Sequence, residues 1–152
     1  MKSKYQNYKQ SVFNPIHKEK YVGTYPILSR SSYEMKFMRW CDNASAVIKW
    51  SSESNVVPYQ NPLDGRIHRY FLDNMIVMKD RQGKEHTFLI EIKPKRKTQP
   101  PTESRNKSVT TVIREKTEWV KNQAKWRSAE QYATKKGYKF IILTEDDLLK
   151  LN

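Results

Sequence analysis

The sequence predicts an α/β domain in which helices flank a mixed central sheet. Three observations carry that reading. Apolar side chains recur at helical intervals after Ser31 and again between Val112 and Lys136. Short runs rich in β-branched and aromatic residues fill the interval between those two segments. One more apolar run, Tyr138–Leu143, follows the second helix. The order is helix, three or four strands, helix, strand.

Residues 1–30 are basic, rich in Tyr and Lys and without sustained periodicity, so an irregular N-terminal arm is expected there. The remainder, 31–152, is long enough for one domain with its own core. Ser31 and Glu34 have the spacing of a capping box and open the first helix. Tyr33, Phe37, Trp40, Cys41 and Ala44 give that helix its apolar face. Val47–Trp50 and Val56–Tyr59 read as short strands, and Asn61–Gly65 is a turn by composition. A strand over Arg69–Met78, a turn with Gly83 at its tip and a strand over His86–Lys93 form a hairpin. The chain leaves the sheet at Pro94, which has no amide proton for a ladder bond. The stretch 95–111 holds Pro100-Pro101, several Ser and Thr and five basic residues, and reads as a basic loop. The long helix Val112–Lys136 then carries a stripe of Trp119, Trp126, Ala129 and Ala133. Lys116, Lys121, Lys125 and Arg127 are expected on its basic surface, and Gly137 is placed to end it. Thr144–Asp147 caps a short terminal helix.

Within the hairpin, two residues conflict with their surroundings. Asp73 lies in the first apolar strand and Glu91 in the second, although acidic residues are depleted from strands. A buried carboxylate must be paired or must ligate a cation. Pairing Lys79 with Glu85 across the turn sets a register that places Asp73 opposite Glu91. Lys93, two residues after Glu91, projects from the same face, while Phe88, Ile90 and Ile92 take the other. Two carboxylates that share a divalent cation beside an ammonium suit phosphodiester hydrolysis. Hard oxygen ligands favour Mg²⁺, with Mn²⁺ as the alternative.

Charge names the partner. The chain carries 29 Lys and Arg against 16 Asp and Glu, a net +13 that favours a polyanion, and nucleic acid leads over an anionic membrane surface. No apolar run approaches the roughly 20 residues of a membrane span, and no secretory signal core opens the chain. The single Cys41 excludes an internal disulfide and fits a reducing compartment, and His17, His68 and His86 lack zinc-ligand spacing.

Asp73 followed by Glu91-Ile92-Lys93 resembles the PD-(D/E)xK nuclease superfamily. The resemblance spans Ser31–Glu145 and implies a restriction-endonuclease-like α-β-β-β-α-β core. Leu72 stands where proline is usual and Asn74 where an aromatic is usual. Within the superfamily, Phe140–Glu145 after a long helix is similar to the TnsA-like endonucleases. A narrower likeness, to the small head completion nucleases of T-even-type tailed phages, rests on Tyr33–Cys41, Tyr70–Asp73, Phe88–Lys95 and Thr144–Asp147. These resemblances imply catalytic roles for Asp73, Glu91 and Lys93, with Glu34 supporting the metal held by Asp73 and Glu91. They imply double-stranded DNA as substrate and head–tail joining as the setting, in the host cytoplasm during assembly or in the virion, with portal or neck proteins as partners.

Lys95, Arg96, Lys97, Arg105 and Lys107 are the expected phosphate contacts, of the sequence-independent kind. The reading is therefore a Mg²⁺-dependent deoxyribonuclease, endonucleolytic and also exonucleolytic. Its alternative is a structural assembly protein that binds DNA or a portal ring on a nuclease fold without cleaving. A site-specific transposase or restriction subunit would need a recognition domain that 152 residues leave little room for. Gln123, His68 and the Glu145–Asp147 cluster have simpler structural accounts as a core polar group, a lone histidine and a helix cap.

Overall fold

The computed structural model describes residues 10–151. Its centre is a four-stranded sheet in the order β3 (Val47–Ser52), β6 (Asn74–Lys79), β7 (Glu85–Ile92), β8 (Lys139–Leu143). The first two pairings are antiparallel and β7–β8 is parallel, which makes the sheet mixed. A parallel neighbour needs a crossover, and α2 (Val109–Lys136) supplies it. Helix α1 (Ser32–Asn43) and the short α3 (Glu145–Leu149) complete the layers.

Two cores lie on opposite sheet faces. One joins α1, α3 and the sheet through Phe37, Met38, Cys41, Trp50, Ile76, Ile90 and Leu148, with Phe88 and Ile92 packed against it. The other joins α2 to Tyr59, Tyr70, Leu72 and Leu89 through Trp126, Ala129 and Ala133. Along β7, Phe88, Ile90 and Ile92 therefore face one way and Leu89 the other, as strand alternation requires.

Helix α1 begins at the expected place, with Ser31 Oγ accepting from Glu34 N–H at 3.1 Å. Its buried face is Phe37, Met38, Cys41 and Asp42, while Tyr33 in the first turn is exposed. Helix α2 starts three residues earlier than the periodicity suggested, because Ser108 Oγ accepts from Thr111 N–H at 3.1 Å. It ends where expected: Gly137 adopts φ +74°, the left-handed conformation that glycine enters without strain.

Two expectations are corrected. Residues 11–29 are not irregular: β1 (Ser11–Phe13) pairs with β2 (Ile27–Ser29), and Phe13, Tyr21 and Ile27 enter the first core. Buried Asp42 ties this segment down by accepting from Ile16 N–H at 2.8 Å and His17 N–H at 2.9 Å. The first nine residues of the expected arm lie outside the described residues.

The strand expected over Arg69–Met78 is broken at Leu72–Asp73. Its first part, β5 (Ile67–Phe71), pairs with β4 (Val56–Gln60); its second, β6, pairs with β3 and β7. The two pairings form one bent ribbon, bridged by Glu53 N–H to Asp73 O and Leu72 N–H to Asn55 O, both 3.0 Å. Between Ser52↔Asn74 and Val56↔Phe71 the register slips by one residue. Glu53 absorbs the extra residue at φ +53°. This is a bulge, and bulges bend a ribbon and re-aim its side chains.

Candidate active site

The hairpin register is the one the charge pairing set: Lys79 faces Glu85, and the ladder runs to Asn74↔Ile90. Asp73 lies one residue beyond the ladder, at the bend. Instead of completing a backbone rung it turns its side chain in, and Oδ2 accepts from Ile92 N–H at 2.7 Å. Glu91 is 7 % exposed. Its Oε2 accepts from Tyr70 Oη–H at 2.7 Å, and its Oε1 lies 3.3 Å from Lys93 Nζ. The bend thus places Tyr70, Asp73, Glu91 and Lys93 together.

Glu34 joins them from the first turn of α1. Its Oε2 accepts from Arg30 N–H at 2.7 Å, one residue outside an ideal capping box. Burial raises its pKa above the usual carboxylate range, and the charges of Glu53 and Glu91 add to the rise. Asp73 is raised well above that range, chiefly by burial and then by Glu91, with a smaller contribution from Glu34. Three carboxylates therefore repel one another in a poorly solvated corner. Among the described residues, no three His, Cys, Asp or Glu side chains form a ready-made metal cluster. Instead Asp73, Glu34 and Glu91 each commit an oxygen to a protein donor.

The remaining expected site residues lie after β7, in a 3₁₀ turn and the loop that follows it. Lys95 and Arg96 are exposed and Lys97 half-buried in a 3₁₀ turn directly after Pro94. Lys95 pairs with Asp146 at 2.9 Å, Lys97 with Glu118 at 3.0 Å and Lys107 with Glu115 at 2.9 Å. Arg96 and Arg105 are exposed. His68 is bonded to Asp64 at 2.7 Å on the outer hairpin. Gln123 is half-buried and makes no hydrogen bond to the acidic residues. The Glu145–Asp147 cluster is structural: Asp147 completes a capping box with Thr144, and Glu145 accepts from Lys95 N–H at 2.9 Å.

Two residues of the site escaped sequence reasoning. Tyr70 is one, the donor to Glu91. Lys125 is the other, expected on the outer surface of α2. Its Nζ instead lies 5.4 Å from the Tyr70 ring centre and 5.7 Å from that of Tyr59. Burial lowers its basicity, as do the charges of Lys121 and Lys93, while Glu91 opposes them. It forms no ion pair among the described residues. One signal was available: Lys125 falls four residues before Ala129, on the buried stripe.

A mixed sheet with paired strand acids, a lysine two residues on and a flanking helix carboxylate is the architecture of a restriction-endonuclease-like nuclease. The family model described as TnsA-like endonuclease N terminal matches residues 44–145, well over half of the chain, and the chain belongs to that family. Nucleases of this kind generally use divalent metal ions. The chain is also 43 % identical over 128 residues to the "Head completion nuclease" of Enterobacteria phage T4, covering 82 % of this chain and 83 % of that protein.

Proposed function

We propose that this protein is a Mg²⁺-dependent DNA endonuclease, also able to remove nucleotides from ends, that acts with little sequence specificity in phage head completion and head–tail joining. The observation that carries the reading is the bend at Leu72–Asp73. It gathers Asp73, Glu91 and Lys93 at one end of the two central strands on a chain of net charge +13. The 43 % identity to a head completion nuclease supports the setting. We further propose portal or neck components as its protein partners and the host cytoplasm as its workplace.

Asp73 and Glu91, supported by Glu34, form the hard-oxygen donor set that fits Mg²⁺ or Mn²⁺. The fit rests on Asp73 and Glu34, whose carboxyls burial and neighbouring negative charge raise: a cation relieves that strain. A divalent cation held there supplies charge neutralisation and Lewis acidity at the scissile phosphate. Ile92 N–H fixes Asp73, and Tyr70 fixes Glu91, so that neither carboxylate must reorganise as charge builds. Lys93 orients the attacking water and balances charge on the phosphorane. Lys125, an ammonium without an ion-pair partner between two aromatic faces, binds a phosphate of the same strand. Arg96 and Arg105 with Lys95, Lys97 and Lys107 hold the duplex by its backbone.

The test is relaxation of supercoiled plasmid with Mg²⁺. Asp73→Ala and Glu91→Ala, shown folded by circular dichroism, lose cleavage by roughly three orders of magnitude. Full activity in either rejects the site. Particles completed by a cleavage-dead Glu91→Ala protein would favour the structural alternative.

A further inference from the structure

The 3₁₀ turn, the loop that follows it and α2 together line an open cavity of about 420 Å³. That is within the size range of small-ligand pockets. Its walls include Arg96, Pro100, Pro101, Trp119 and Asn122. Asn122 is only 6 % exposed, yet its amide has no hydrogen-bond partner among the described residues. This amide lines the cavity, where it is left for a ligand or water to match. Trp119 is held edge-on by Trp126 at 6.4 Å and offers its indole as a second wall. The acidic groups in the lining, Glu115 and Glu118, are already paired with Lys107 and Lys97.

An amide with an NH₂ donor group and a carbonyl acceptor, an indole and an arginine at the rim match a nucleobase with its phosphate. Asparagine pairs with a base edge through both amide groups, an aromatic face accepts any base, and a guanidinium clamps phosphate. The cavity and the reaction centre draw on neighbouring stretches of chain. Arg96 follows Lys93 by three residues, and Asn122 is one helical turn from Lys125. We propose that this cavity receives one unpaired nucleotide of the DNA strand, so that the enzyme engages frayed or single-stranded-tailed ends in preference to blunt duplex. The inference rests on the nuclease reading for its substrate and extends it to the form of the DNA.

Binding of the intact chain to a blunt duplex and to the same duplex with a short single-stranded tail tests this. Fluorescence anisotropy in chelator removes any need for cleavage, so a failure of the nuclease reading is scored separately by plasmid relaxation. The tailed duplex is expected to bind about tenfold tighter, from stacking of one base. Asn122→Ala and Trp119→Leu bring the tailed-to-blunt ratio near one. Should either disturb folding, Thr102→Phe, at an exposed loop position lining the cavity, fills it from outside and is expected to do the same. Equal binding of the two duplexes by the unaltered protein overturns the proposal. So does a ratio that survives both Asn122→Ala and Thr102→Phe, or selective binding of free deoxynucleoside monophosphate over the tailed strand.

Discussion

Asp73 concentrates the chemistry of the site in one side chain. Burial and the neighbouring carboxylates raise its pKa above the unfolded value. Between those two values the folded chain holds more protons than the unfolded one, so metal-free stability falls as pH rises out of the carboxylate range. Asp73→Asn removes that loss while keeping an oxygen for Ile92 N–H. In chelator at neutral pH its Tm is expected to rise by about 2–6 °C, with the gain vanishing toward pH 4; calorimetry across pH checks this. The same substitution is expected to abolish cleavage, so that stability and activity move in opposite directions. Lys125→Met keeps the stem over Tyr59 and Tyr70 and removes the charge. Without that ammonium to bind phosphate, KM is expected to rise by about tenfold or more, measured by steady-state cleavage of a labelled duplex. The acids and Lys93 were legible in the sequence because carboxylates inside apolar strands demand an explanation. Tyr70 and Lys125 were not: a tyrosine in a strand and a lysine on a helix are ordinary, and only the fold brings them to Glu91.

At the level of elements, local signals determined most boundaries. Ser31 and Ser108 cap their helices through side-chain oxygens, and Gly137 ends α2 in a left-handed turn. Nothing lies within 4 Å of a Cβ added at Gly137, so Gly137→Ala tests the backbone alone. It is expected to cost about 1 kcal/mol in urea denaturation and to leave cleavage intact. The bend at Leu72–Asp73 escaped the pattern because apolar alternation runs through it unbroken. Which partner each half pairs with is decided by the bulge at Glu53, some 20 residues away in sequence. Similarly, Phe13, Tyr21 and Ile27 are too sparse to show periodicity, yet each fills the core. Long-range pairing, not local propensity, settled both.

For the molecule as a whole, the surplus of basic residues sets how it meets DNA. Affinity should fall linearly with the logarithm of salt concentration, with a slope that counts neutralised phosphates. The basic residues do not count equally. Arg105 forms no ion pair among the described residues, so Arg105→Ala should lower the slope by about one. Lys107 already neutralises Glu115. Lys107→Ala frees that acid, so it should weaken binding at every salt concentration as well as flattening the slope. Titrations at several ionic strengths separate the two. Net charge predicted a polyanionic partner from composition alone; which cations remain available to it depends on the salt bridges that the fold creates.

The bent ribbon carries an implication for how such a scaffold diversifies. Because β5 belongs to an outlying hairpin and β6 to the main sheet, the exposed tip at 62–65 is free to lengthen or change sequence without disturbing the rungs that align the proposed site. Relatives could acquire new attachments at that tip while retaining an unaltered arrangement of Asp73, Glu91 and Lys93.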